Sequence, residues 1–118
     1  MDIESEENAQ WNNDSTCGTF RGLYESDNCT LSQFVIPGPT VPHMHDFDEI
    51  YFVLKGSALM RIGEREQRVY PRDRIFIPRN TVHQIVPYES DRRLELVVLT
   101  DSKFDRSLIV EKPDYYSH

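Results

Sequence analysis

The sequence contains no long apolar segment. Every apolar run falls short of the roughly 18 residues that a bilayer-spanning helix needs. The first residues, Met1 to Glu7, are acidic, whereas a secretory signal begins with a basic segment followed by an apolar one. We therefore expect a cytoplasmic protein that does not bind membranes.

Basic residues are also scarce. The chain of 118 residues has 13 Lys and Arg against 20 Asp and Glu, which gives a formal net charge of −7. The densest basic cluster, Arg72, Arg74 and Arg79, is interrupted by Asp73. Nucleic-acid binding relies on a basic surface that displaces counterions from phosphates, so we expect no nucleic-acid partner.

Cysteine is rare and helical periodicity is absent. Cys17 and Cys29 are separated by more than the two residues of a Cys-x-x-Cys motif, and without a secretory signal we expect both to be free thiols. No window of about eleven residues or more repeats its apolar positions with the 3.6-residue period of a helix. These absences point away from a disulfide-rich domain and from a helical one.

Short β-strands are what the sequence does contain. Thr30 to Ile36 alternates between two faces, and Glu49 to Leu54 is a dense β-branched and aromatic run that the turn signal Lys55-Gly56 closes. Further strands are predicted over 58–62, 67–70, 74–77, 81–86, 94–100 and near 107–110. Many short strands punctuated by Gly and Pro predict an all-β fold, a small antiparallel barrel or sandwich.

The chain is long enough for a single domain. We divide it into a flexible acidic N-terminal arm over residues 1–14, a β-barrel over residues 15–112 and a C-terminal tail over residues 113–118.

The segment around two histidines carries most of the functional information. His43 and His45 are two residues apart, so on a strand their side chains share one face, and on a continuous strand Glu49 joins them. His83, from a neighbouring strand, would complete the set, because the fourth histidine, His118, is the last residue of the chain. Three imidazoles and a carboxylate in this arrangement indicate a metal site.

At these residues the chain resembles the cupin superfamily, in particular its small single-domain, cupin-2-like members. The first cupin motif is matched by Gly38, His43, His45, Glu49 and Gly56, with one spacer a residue short. The second motif is matched by Pro78 and His83, whereas Arg72, Asn80 and Pro87 replace its two glycines and its final Asn. Asn is the residue that best replaces Gly where the backbone is left-handed.

The resemblance implies a double-stranded β-helix, or jelly-roll, barrel. In that barrel His43, His45, Glu49 and His83 would project inward onto one divalent metal ion. Imidazole and carboxylate ligands suit Fe(II), Mn(II), Ni(II), Cu(II) or Zn(II), and the lack of thiolates argues against a structural zinc. Four protein ligands leave two positions open on a six-coordinate ion.

Three functions remain open. The leading hypothesis is a metal-dependent enzyme acting on a small polar molecule, with Fe(II)-dependent dioxygenase chemistry on a metal-chelated substrate. The first alternative is a redox-neutral isomerase, cyclase or lyase in which Zn(II), Mn(II) or Ni(II) acts as a Lewis acid. The second is a barrel that binds a small molecule without turning it over.

Residues beyond the ligand set also carry expectations. If Glu49 faces the barrel, Tyr51 does too, and its hydroxyl is a candidate catalytic acid or base, or else fills the core. Gln33, Arg61 and Gln84 are candidate substrate contacts, although Arg and Gln on strands usually face solvent. A homodimer is expected because a small barrel exposes edge strands, with Trp11 or the Tyr115-Tyr116 tail exchanged between subunits.

Overall fold

Two antiparallel β-sheets form the molecule. The computed structural model describes residues 9–14, 16–88 and 93–117. Its strands are β1 (Asn12–Asp14), β2 (Gly18–Glu25), β3 (Thr30–Ile36), β4 (His43–His45), β5 (Glu49–Lys55), β6 (Ala58–Ile62), β7 (Arg65–Val69), β8 (Arg74–Ile77), β9 (His83–Pro87), β10 (Leu94–Thr100) and β11 (Ile109–Glu111). A 3-10 turn, Arg106–Leu108, precedes β11. Within these ranges no helix has the length and apolar character to cross a bilayer.

The order of strands within the sheets is that of a barrel in which connections between strands cross from one sheet to the other. One sheet has the order β1-β2-β3-β10-β5-β8 and the other the order β11-β4-β9-β6-β7, so neighbours in space are mostly distant in sequence. The apolar core contains side chains from both sheets, among them Val53, Met60, Ile77, Ile85 and Leu96. The all-β jelly-roll fold predicted from the sequence is confirmed.

Strand parity decides which side chains enter the barrel. Along β5 burial alternates, so that Glu49, Tyr51 and Val53 are buried while Ile50 and Phe52 are exposed. Successive side chains on a pleated strand point to opposite faces, so every second residue of β5 is buried. Tyr51 therefore shares the interior face with Glu49, as the sequence predicted.

Among the described residues, two that are not glycine adopt the left-handed backbone conformation. Asn80 has φ 58° and Arg72 has φ 76°, and both stand where the second cupin motif has glycine. The Asn80 amide N–H donates to the His45 carbonyl at 2.7 Å, and its side chain donates to Asp46 at 3.1 Å. These two hydrogen bonds hold the β8–β9 loop against β4 and the residue that follows it. They thereby position the start of β9, where His83 lies.

Trp11 and Tyr116, which lie near the first and last described residues, contact other parts of the same chain. The Arg21 guanidinium lies 4.4 Å from the ring centroid of Trp11. The Tyr116 hydroxyl donates to the Gly63 carbonyl at 2.8 Å. Of the predicted N-terminal arm, residues 1–8 lie outside the described residues, and its last residues form β1.

Replacing Asn80 by Ala tests the left-handed turn. We expect Asn80→Ala to lower the free energy of unfolding by about 1–2 kcal/mol, because a β-carbon is strained at positive φ without a local hydrogen bond to compensate. Asn80→Gly, the matched control, removes the strain and should cost less than Asn80→Ala. Urea denaturation of both variants measures the difference. Equal losses would show that the backbone angle is not what Asn80 provides.

Candidate metal centre

The structure brings the four predicted ligands together inside the barrel. His43 and His45 come from β4, Glu49 from the start of β5 and His83 from the start of β9, and all four are buried. His43 and His83 are direct partners in the β4–β9 pairing, with ring centroids 4.3 Å apart. One nitrogen from each of the three imidazoles lies within 4.8 Å of the others.

Glu49 approaches two of the three histidines. Its Oε1 atom lies 2.7 Å from Nε2 of His45 and 3.5 Å from Nε2 of His83. The carboxylate is thus at the side of the cluster, whereas the three imidazoles form its centre. All the facing atoms are ones that metals in proteins accept as ligands.

Backbone carbonyls fix the tautomer of each imidazole. Nδ1 of His43 lies 2.7 Å from the Val41 oxygen, Nδ1 of His45 lies 3.1 Å from the Phe47 oxygen, and Nδ1 of His83 lies 3.0 Å from the Thr81 oxygen. A carbonyl only accepts hydrogen bonds, so each Nδ1 carries a proton, and a ring with a single proton presents an Nε2 lone pair. In metalloproteins a hydrogen bond from the ring nitrogen that does not bind the metal orients a histidine ligand in this way.

The converging atoms lack hydrogen bonds. Nε2 of His45, Nε2 of His83 and Oε1 of Glu49 are buried without a partner of hydrogen-bonding geometry, and the 2.7 Å approach of His45 to Glu49 fails on its angles. Buried polar atoms without partners are costly. Two lone-pair donors that face each other need a cation between them, so the donor set fits a divalent metal ion.

Burial and mutual contact set the protonation of the ligands. Burial, reinforced by the nearby His83 imidazole, lowers the pKa of His43 to about 4. Burial alone would raise the pKa of Glu49, but the adjacent His45 and His83 imidazoles, when they donate a proton to the carboxylate, outweigh burial and lower this pKa to about 2. At neutral pH the site therefore contains a neutral His43 and an ionised Glu49, the forms that bind metal.

Tyr51 lies beside the cluster as a protonated phenol. Its ring centroid is 6.3 Å from that of His83, and the side chain is buried. Burial first, and then the negative charge of Glu49, raise the pKa of the Tyr51 hydroxyl well above its usual value of 10. Tyr51 can therefore donate a hydrogen bond or a proton to a ligand but is not a base at neutral pH.

A small cavity of about 30 Å³ adjoins the ligands. Tyr51, Cys17 and Phe104 are among the side chains around it, together with three of the ligands, His43, His45 and Glu49. The Phe47 ring stacks on the His45 ring at 3.9 Å with an interplanar angle of 2°. No sequence pattern indicated that Cys17 or Phe104 would reach this site, because each comes from a segment far from the histidines along the chain.

The three predicted substrate contacts lie outside the cavity. Gln33 is buried on the opposite face of β3, where its side-chain oxygen accepts from Nε of Arg21 at 2.9 Å. Arg61 and Gln84 are paired on the outer face of the second sheet, with the Arg61 guanidinium donating to the Gln84 side-chain oxygen at 3.2 Å. Successive residues on a strand face opposite ways. Met60 and His83 face inward, so their neighbours Arg61 and Gln84 face outward.

Arg106 links the segment that precedes β2 to β11. Its guanidinium donates to the Thr16 hydroxyl at 2.9 Å and lies 3.5 Å from both Asp14 and Glu111. The Thr16 hydroxyl donates in turn to Glu111 at 2.7 Å. These four residues, the Arg106 clamp, join the loop that holds Cys17 to β11, which pairs with β4 and its histidines.

Comparison with known proteins agrees with this architecture. The family model described as the cupin domain matches residues 33–100. This match covers more than half of the sequence and includes all four clustered ligands, so the chain belongs to the cupin domain family.

The similar proteins are distant. An uncharacterized protein of Methanocaldococcus jannaschii, MJ1618, is 32% identical over 66 residues, which is 53% of each chain. The chain thus spans about half the length of this relative. The structure of Pac13, a nucleoside dehydratase from Streptomyces, superposes with a TM-score of 0.79 at 12% identity, covering 96% of this chain and 92% of that one. Oxalate decarboxylase from Bacillus subtilis gives 0.78 at 19% identity, covering 98% and 33%.

Replacement of one imidazole tests the metal centre. We expect His83→Ala to reduce bound metal from near one ion per chain to a small fraction of that, because it removes an Nε2 lone pair at the centre of the cluster. Gln84→Ala is the matched control, since the adjacent side chain points to the outer face. Metal content by ICP-MS after dialysis measures both. Full retention in His83→Ala would contradict the assignment.

Removal of the Arg106 clamp tests access to the site. In Arg106→Ala we expect metal loss to a chelator to accelerate several-fold, because the loop holding Cys17 is released from Glu111. The clamp is partly exposed, so the cost in stability should stay near 1 kcal/mol or below. Arg61→Ala, which removes an ion pair with Glu66 on the outer face, is the control and should leave the rate unchanged. Equal rates in the two variants would show that the clamp does not limit access.

Proposed function

We propose that this protein is a metal-dependent enzyme acting on a small polar organic molecule, with His43, His45, Glu49 and His83 as its metal ligands. The observation that carries the proposal is the buried convergence of unpartnered Nε2 and Oε1 atoms. Such a cluster is costly in a barrel that only stores or senses a ligand through apolar contacts.

The chain's own residues would divide the work around the ion. A divalent ion held by these ligands would supply Lewis-acid chemistry or, if it were Fe(II), would support oxygenation. Tyr51 would donate a hydrogen bond or a proton to the substrate from the interior face. Phe47 and Phe104 would limit access of water.

Fe(II)-dependent oxygenation remains our leading proposal. It is supported by the mixed set of imidazole and carboxylate ligands, which leaves positions for a chelating substrate and O2. The cavity beside the ligands is about 30 Å³, so a chelating substrate and O2 would enter only if the surrounding side chains moved apart.

A redox-neutral isomerase, cyclase or lyase is the second proposal. The protonated Tyr51 beside the ligands supports it, because a buried phenol is a proton donor for elimination or isomerisation. The similar structures include a dehydratase and a decarboxylase. At such low identity their likeness concerns the fold and does not choose between the chemistries.

Oxygen dependence separates the two chemistries. Protein purified without O2 would be loaded separately with iron, manganese, nickel and zinc, and then screened with small hydroxy acids, diols and sugars with and without O2. We expect consumption of O2 with a substrate in the iron form. Equal turnover in the absence of O2 would exclude oxygenation and favour the redox-neutral proposal.

Two variants test the assigned roles. His45→Ala should lose both metal and turnover, whereas Tyr51→Phe should keep its metal and lose at least about tenfold in kcat if the phenol transfers a proton, a step typically worth 10²–10⁴ in rate. Full turnover in His45→Ala would refute the enzyme proposal. Bound metal without turnover of any substrate would favour the binding barrel.

A further inference from the structure

A wide groove separates the last strands of the two sheets. β7 ends one sheet and β8 ends the other, and the groove between them, which we call the β7–β8 groove, has a volume of about 750 Å³. Its lining includes the buried core residues Met60, Val69 and Ile75 and the partly buried Ile62. Pockets that hold small molecules have volumes of roughly 300–1,000 Å³. The β7–β8 groove is therefore large enough for a metabolite.

The inner face of β7 lies in line with the metal ligands. Arg65 on β7 is directly opposite Ile62, which is in turn directly opposite His83. His83 is directly opposite His43. Residues directly opposite each other on paired strands share one face of a sheet, so Arg65 projects from the same face as two of the ligands. Neighbouring strands are about 4.8 Å apart, which places the backbones of Arg65 and His83 roughly 10 Å apart.

The β7–β8 groove carries positive charge in an acidic protein. The charged side chains of its lining are Arg65, Arg72, Arg74, Glu66 and Asp73. Both carboxylates are already engaged, since Glu66 lies 2.9 Å from Nε of Arg61, and Asp73 accepts from the Tyr70 backbone N–H at 2.8 Å. Within the described part of the chain, no group forms a hydrogen bond or an ion pair with the three guanidinium groups of the lining. They are available to an anion.

Arg72 occupies a strained backbone position beside the groove. Glycine adopts a φ of 76° without strain, whereas the β-carbon of any other residue is crowded there. The Arg72 backbone N–H donates to the Val53 carbonyl at 2.8 Å, which holds the turn in this conformation. Strained positions of this kind cluster at functional sites. A charged side chain that is retained at such a position, without a described partner, points to a ligand.

We propose that the β7–β8 groove holds the anionic end of the substrate, with Arg65 as the main contact and Arg72 as a second one. Guanidinium groups bind carboxylate and phosphate oxygens bidentately. The substrate is therefore a small organic carboxylate or phosphate compound. Arg65 has the role that the sequence suggested for Arg61, which faces outward. This inference rests on the proposed function, because it takes the buried ligand cluster as the place of reaction.

The path from the groove to the metal centre passes Ile62. This side chain is only partly buried and lies between Arg65 and His83 in the row of paired residues. On the other sheet, Ile75 lines the groove and is paired with Tyr51, the candidate proton donor. A substrate held by Arg65 would approach His83 and Tyr51 from the same side once the Ile62 side chain turned away.

Binding of simple anions tests the proposal without turnover. The protein, with and without zinc, would be titrated with glutarate and, separately, with glycerol 3-phosphate, while NMR follows the backbone amides of β7 and β8. We expect at least one anion to shift these signals, and the one that does so identifies a carboxylate or a phosphate as the preferred group. Glycerol, the uncharged control, should leave the signals unchanged.

Three variants assign the binding to the groove. Arg65→Gln should weaken binding about tenfold, because it removes a charge-assisted hydrogen bond. Arg68→Gln is the matched control, since Arg68 lies on the same strand but on the outer face, where its guanidinium is 5.2 Å from the Tyr88 ring centroid. Arg72→Gly should weaken binding severalfold without lowering Tm, because glycine relieves the backbone strain. This separates a role in binding from a role in folding.

Equal affinities in Arg65→Gln and Arg68→Gln, or no binding of either anion at millimolar concentration, would overturn the proposal whatever the metal centre does. In the turnover screen, an anionic substrate should show a raised KM and a nearly unchanged kcat in Arg65→Gln. An uncharged substrate with the same KM in wild type and Arg65→Gln would contradict the substrate class and leave the enzyme proposal intact. Anion binding without turnover of any substrate would uphold the groove as an anion site and count against the proposed function instead.

Discussion

The rest of the structure depends on the convergence of three imidazole Nε2 atoms and one carboxylate in the barrel interior. Each of these groups is buried, and three of the facing atoms have no hydrogen bond to offset the loss of water. A protein interior tolerates such a cluster only when a cation balances it. The carbonyls of Val41, Phe47 and Thr81 accept hydrogen bonds from the Nδ1 atoms of the three rings, so that the Nε2 lone pairs face the centre of the cluster.

The inner and outer faces of the same strand have different roles. On β5 the inward residues supply a ligand and a phenol, and the outward residues supply an apolar surface. The two sets cannot exchange without a shift of one residue in register, which would expose the core. The pairing of β5 with β10 and β8 holds this register, and one bulge near Glu95 absorbs the irregularity at its end.

Two side chains beside the cavity come from outside the segment that contains the two motifs. Cys17 and Phe104 line the cavity, and the Arg106 clamp holds the loop with Cys17 to β11. Burial, followed by the charge of Asp14, raises the pKa of the Cys17 thiol far above its ordinary value, so this thiol stays protonated. It lines the cavity as a small apolar group and not as a thiolate.

The sequence by itself determined the all-β class, the bounds of several strands and the set of residues that meets in the barrel. It could do so because the face on which a side chain lies depends only on its position along its own strand. His43 and His45 therefore share a face wherever that strand lies. Only the tertiary structure decided that Gln33, Arg61 and Gln84 face outward and that Arg106 reaches Asp14 and Glu111. These relations depend on which strands become neighbours, and sheet order is fixed by long-range packing that no local pattern encodes.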